Sequence, residues 1–167
     1  IKAIVSEVYS PPRVTMALKM LPGLGLIPGF AFDLTTQDED GNLWDFNCPR
    51  QPQKARKLRA ETKPYVLIGS PCCTMYSTLQ AINAAHQDPE VRRRAMIRAD
   101  LHMRFTMELY EEQVKDGHYF LHEHTAWATS WQLGCVKKIM AMEQVEDVVG
   151  DQCQYGAEAN GQPIRKP

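Results

Sequence analysis

Apolar residues come along this chain in two kinds of block, short unbroken runs and longer stretches with helical spacing. The run IKAIVSEVY is β-rich and ends at Ser10-Pro11-Pro12, which cannot continue a central strand. Arg13 to Leu21 has helical composition and stops at Pro22-Gly23, and GFAFDL (Gly29 to Leu34) reads as a short strand. TTQDEDGN is a polar turn region with Asp40-Gly41 as its turn signal, and Pro52 to Glu61 is a basic helix candidate. YVLIG, Tyr65 to Gly69, shows no polar alternation, the pattern of a strand buried on both faces. Thr74 to Ala85 follows as a helix candidate.

The clearest helix starts at Asp88-Pro89, a cap residue followed by proline in the first turn, and runs to about Lys115 before Gly117. Ile97, Leu101, Phe105 and Leu109 repeat every four residues, and Met96, Met103, Met107 and Tyr110 widen that apolar face. YFLHE is then a strand, Ala126 to Met142 a helix and VEDVVG (Val145 to Gly150) a strand. Strands alternate with helices throughout, which predicts an α/β domain with a mainly parallel sheet and helices on both faces, Rossmann-like in architecture. The whole chain, 1–167, reads as one domain with no internal repeat. In such a sheet ligands sit at the carboxyl ends of the strands. The residues predicted there are Tyr9 to Arg13, Asp33, Ser70 to Thr74 and His122 to Thr125.

Composition narrows the function classes. The net charge of -1 offers no global basic field, so any nucleic-acid binding falls to local patches. Arg92-Arg93-Arg94 with Arg98, and Arg50 to Arg59 with its two lysines, are such patches, read either as solvated helix faces or as phosphate contacts. No apolar run approaches the ~20 residues a membrane span needs. Five cysteines, an odd number without repeating spacing, favour reduced thiols in an intracellular, reducing compartment, the nucleus included. The chain begins at Ile1 and stops at IRKP, the look of a piece of something longer.

Four residues carry candidate chemistry. Asp33 ends a strand, where a carboxylate binds ribose hydroxyls or simply closes a turn. Asp45, in LWDF, is placed to accept from an adenine amino group with Trp44 or Phe46 beside the ring, or is a surface carboxylate between core aromatics. Cys73 follows a proline turn and precedes a helix candidate, whose N-terminus would favour the thiolate. The alternative is that Cys72 and Cys73 are both small buried hydrophobes. Glu123, flanked by His122 and His124, suits proton transfer at a sheet end or a structural ion pair. His118, His122 and His124 cannot all face one way along a strand, so no metal site is predicted.

These pieces, in this order, resemble the catalytic domain of the DNA (cytosine-5) methyltransferase family. GSPCCTMYS matches that family's glycine-proline-proline-cysteine-glutamine-x-phenylalanine-serine motif at Gly69, Pro71, Cys73, Tyr76 and Ser77. FLHEHT matches its glutamate-asparagine-valine motif at Glu123, EVYSPPRVT lies where its glycine-rich cofactor turn stands, and WDF matches its third motif at Asp45. The tail DQCQYGAEANGQPIRKP is similar to a later segment, with Arg165 as the distal basic residue. The sequence departs from the family at Pro11-Pro12-Arg13, at Thr74 and at His124, and the family's target-recognition region would lie beyond Pro167, so it is expected to be absent from this domain.

The resemblance implies S-adenosylmethionine as cofactor, held by Tyr9, Ser10, Asp33, Asp45, Phe46 and Pro71. It implies Cys73, Glu123 and Arg165 as catalytic residues, with Cys73 adding to C6 of a cytosine in DNA before C5 takes the methyl group. In that alignment Cys72 takes a proline's place and is structural. The departures favour a different class, a non-catalytic methyltransferase-like module acting as a structural or interaction subunit of a larger assembly.

Overall fold

The unbroken apolar runs become one sheet in a computed structural model of the chain, which describes residues 3–83 and 86–164. Strands β1 (Ala3–Val8), β2 (Leu26–Phe32), β3 (Val66–Gly69) and β4 (Tyr119–His122) are all parallel, in the order β2-β1-β3-β4. Each parallel step needs a crossover, supplied by helices α1 (Arg13–Met20), α2 (Gln51–Thr62) and α4 (Pro89–Lys115). A short α3 (Gln80–Asn83), α5 (Gly134–Met140) and a small antiparallel hairpin, β5 (Glu158–Ala159) with β6 (Gln162–Pro163), complete the elements. The expected Rossmann-like α/β architecture is therefore present.

Side chains assign the two faces. Glu7 reaches α1 through Thr15, whereas its neighbour Val8 and Gly69 meet Tyr110 of α4 on the opposite face. The α4 face holds the main core: Val8, Phe32, Leu67, Met103, Leu109 and Tyr110 are buried together, with Phe120 stacked on Tyr110 at 4.3 Å. At the typical value for apolar burial, each such side chain contributes roughly 1.5–3 kcal/mol.

Local signals explain most boundaries. The Asp88 carboxylate accepts from the Glu90 and Val91 amides at 2.8 and 3.2 Å, a cap that contributes about 1 kcal/mol. Gly117 (φ 72°) terminates α4. Strand β2 begins at Leu26 rather than Gly29, and Pro28 is tolerated inside it because β2 is an edge strand.

Three predicted elements differ. Thr74 to Ala85 is not one helix: a single 3-10 turn, Thr74–Tyr76, precedes α3, and Ala84 and Ala85 lie outside the described residues. Ala126 to Met142 is broken because Thr125 O accepts from both Ala128 N and the Trp131 indole, which folds the segment into a turn before α5 starts. Val145 to Gly150 forms no strand, and Val148 and Val149 stay exposed, since no strand among the described residues takes up their backbone. Ile97 and Leu101 of α4 are 45% and 57% exposed, outside the core that Phe105 and Leu109 enter.

Candidate functional site

The register across the sheet puts Phe32, Val8, Gly69 and His122 in one row. One residue further out, at the carboxyl edge, come Asp33, Tyr9, Ser70 and Glu123. Three amides continue the ladder into that row: Tyr9 N to Phe32 O (2.8 Å), Ser70 N to Val8 O (3.2 Å) and Glu123 N to Gly69 O (3.0 Å). The chain leaves β1 toward β2 on one side, while β3 and β4 lie on the other, so the strand order switches between β1 and β3. A crevice at such a switch point is the usual ligand position in an open parallel sheet. The loops flanking it are Tyr9–Pro12 and Ser70–Cys73.

The first loop is stiff. Tyr9 adopts φ 55°, the left-handed region, which costs a non-glycine residue roughly 1–2 kcal/mol. Packing and one hydrogen-bonded chain hold it there. Its ring lies 5.0 Å from Phe46 and 5.5 Å from His102, and its Oη is 2.9 Å from His102 Nδ1. Burial, and then the charge of Asp45, push the Tyr9 phenol well above its ordinary pKa, so it keeps its proton and donates to Nδ1. His102 Nε2 then donates to Asn47 Oδ1 (3.2 Å), and Asn47 Nδ2 donates to Asp45 Oδ1 (2.8 Å). The neutral imidazole this requires is consistent with burial, the dominant effect, lowering the pKa of His102.

Glu7 ties the loop to α1. This fully buried residue at the end of β1 caps the helix: Oε2 accepts from Thr15 N (2.8 Å) and Thr15 Oγ1 (2.7 Å), and Oε1 accepts from Val14 N (3.2 Å) and Ser10 Oγ (3.0 Å). The positive end of a helix favours a carboxylate there. Ser10 is therefore bound into this cap. The half-buried Pro11 and Pro12 have no N–H to offer a ligand.

Asp33 is half-buried, and its Oδ1 takes both bonds from Thr35, to N (2.9 Å) and Oγ1 (2.7 Å). Its Oδ2 accepts no hydrogen bond among the described residues, and the same is true of Asp45 Oδ2. Trp44 is core, 4.3 Å from Phe32, and Phe46 packs on Phe105 at 4.9 Å, so Trp44 is withdrawn from any ligand and Phe46 is partly so.

Pro71 is buried and Cys73 half-buried beyond β3. No α-helix begins at Cys73, so the expected helix-terminus activation of its thiol is absent; only the short Thr74–Tyr76 turn comes after it. Cys72 is exposed with Sγ 3.1 Å from Thr74 Oγ1, so the alternative of two small buried hydrophobes does not hold for it. The Cys73 turn and the Glu123 loop are neighbours: Tyr76 lies 6.0 Å from the His124 ring, and Thr129 Oγ1 donates to Tyr76 O (3.2 Å). Glu123 is exposed. Arg165 lies outside the described residues. Among the described residues no group of three or more His, Cys, Asp or Glu is placed to hold a metal ion.

Three residues of the site escaped the sequence reading. They are Glu7, Asn47 and His102. Their roles depend on contacts far apart in the chain, such as Tyr9 with His102, and no local spacing signals them. Set against known proteins, the chain matches no family model, no curated protein and no solved structure.

Proposed function

We propose that the chain binds S-adenosylmethionine at the carboxyl edge and transfers its methyl group to C5 of a cytosine in DNA. The observation that carries the cofactor reading is Glu7. Dinucleotide sites of this architecture place a pyrophosphate on the first helix N-terminus. Here a buried carboxylate already takes the Val14 and Thr15 amides, which disfavours phosphate. A nucleoside cofactor without phosphate and with positive sulfonium and ammonium groups suits that electrostatics. The free Oδ2 of Asp33 would accept from the ribose hydroxyls, and Asp45 from the adenine amine, with Tyr9, Ser10, Phe46 and Pro71 as the surrounding wall.

The cofactor supplies an electrophilic methyl group. Cys73 thiolate would form a bond to C6 of the base while Glu123 protonates the ring at N3, making C5 nucleophilic. Once C5 has taken the methyl group from the sulfonium, which leaves as a neutral thioether, loss of the C5 proton to a base would break the Cys73–C6 bond, and N3 would return its proton to Glu123. Arg165, by resemblance, would lie against the same base. For the nucleic acid, Arg13, Arg50 and Arg98 are exposed and make no ion pair among the described residues. Arg13 begins α1 and Arg50 caps α2, which sets both at the carboxyl edge, and Arg98 sits one turn before His102. At the opposite end Arg56 and Arg59 are neutralised by Glu108, Glu112 and Asp116. Unpaired guanidinium groups on the site's side of the molecule are what phosphate contact requires.

Transfer of labelled methyl groups from S-adenosylmethionine to cytosine-containing DNA tests the reaction. Cys73→Ala should abolish it and Cys72→Ala should not. Equal transfer by Cys73→Ala and the parent chain would sink the covalent step, and no transfer by the parent chain would leave the interaction-module reading.

A further inference from the structure

A cavity lies along the outer side of β2 and reaches the carboxyl edge at Pro12, Phe32 and Thr36. Its volume is about 600 Å³. The floor is the Gly29–Phe32 stretch of β2, whose outer edge pairs with no strand among the described residues. One wall is α1, through Met16 and Met20. The other is Trp44 with Leu58 of α2, and the segment Thr36 to Glu39 closes one end. The walls are mainly apolar, and the two methionines are 58% and 82% exposed. Burying them would return free energy that this chain alone leaves unused.

We propose that this groove takes an extended peptide segment, which adds a fifth strand to the sheet beside β2. Two observations select that occupant. The floor is a strand edge with no strand outside it among the described residues; Thr36 Oγ1 already donates to Ala31 O (2.6 Å), so an incoming strand would pair with the part of β2 that precedes that carbonyl. The volume suits a few residues of one strand. Charge sets the ends of the segment. Asp38, Glu39 and Asp40 surround the single ammonium of Lys54 at the closed end, an excess of negative charge that suits a basic residue. Lys19, on the α1 wall, suits an acidic one. The partner is thus a segment with alternating apolar residues between a basic and an acidic end. This surface adjoins the carboxyl-edge site at Pro12 and Phe32 but contains none of Asp33, Asp45, Cys73 and Glu123, and its test does not depend on methyl transfer.

The probe is a synthetic peptide of alternating valine and threonine with lysine at one end and glutamate at the other, titrated into the full chain. Trp44 emission and amide hydrogen exchange over residues 29–32 report the groove. The expected result is saturable binding, slower exchange at those amides, and at least tenfold weaker binding both for Met16→Glu/Met20→Glu and for a peptide N-methylated at alternate positions. Both methionines are exposed, so that variant keeps the fold. Undiminished binding of the N-methylated peptide overturns strand pairing. So does an absence of binding at millimolar peptide, and so does a dimer by sedimentation that protects the same amides, which would assign the groove to a second copy.

Discussion

The Tyr110 phenol occupies the space a side chain at residue 69 would need. A Cβ on Gly69 would stand 2.0 Å from Tyr110 Oη and 3.0 Å from Cζ. The same oxygen lies 3.2 Å from His122 Nδ1, so one hydroxyl meets the last residue of both β3 and β4, directly beneath Ser70 and Glu123. Gly69→Ala should therefore destabilise the fold by about 1–3 kcal/mol, the usual range for overpacking a close-packed core. Because the oxygen makes the closest approach, Tyr110→Phe should recover part of that loss. Urea unfolding of the two single variants and the double variant measures the coupling, and strict additivity would contradict the clash.

Glu7→Gln keeps the size of the cap but removes one of its two acceptor oxygens. Four donors then compete for a single amide oxygen in a buried site. We expect a loss of about 2–3 kcal/mol by thermal or urea unfolding, since a buried backbone donor is left unpaired. A loss below about 0.5 kcal/mol would mean that the cap does not hold α1.

His122 is pushed down to about 3 by burial and, secondarily, by His124, whose ring stacks on it at 5.4 Å and whose own pKa burial lowers. A folded-state pKa below the unfolded 6.5 means that the unfolded chain binds the proton more tightly. This contribution to stability is complete above about pH 6.5 and is lost as pH falls toward the folded value. Urea midpoints at pH 7.5 and 5.0 should show the drop, and His122→Gln should flatten it. A midpoint that does not change with pH in the parent chain would contradict the burial of this imidazole pair.

Much of the fold was legible because strands and helices here differ in period. YVLIG and YFLH are apolar without alternation and form adjacent parallel strands, and Asp88-Pro89 begins α4 as read. The four-residue row of α4 was only half right for a geometric reason. A helix turns 100° per residue, so each step of four advances the row by about 40°. Ile97 and Leu101 consequently sit outside and Phe105 and Leu109 inside, while Thr106 and Gln113 are buried instead. Val145 to Gly150 had strand composition, yet pairing depends on a neighbour that composition does not report. In the site, the positions of Asp33 and Glu123 at strand ends were readable. The cap by Glu7 and the chain from Tyr9 through His102 and Asn47 to Asp45 were not, because each joins elements distant in sequence.

Isothermal titration with S-adenosylmethionine tests the central claim, a nucleoside site whose first helix terminus is closed to phosphate. The account predicts one site per chain, affinity at least tenfold weaker in Asp33→Ala, about 1.4 kcal/mol, and no binding of NAD. An absence of heat with S-adenosylmethionine at millimolar concentration, or equal binding of NAD, would contradict it.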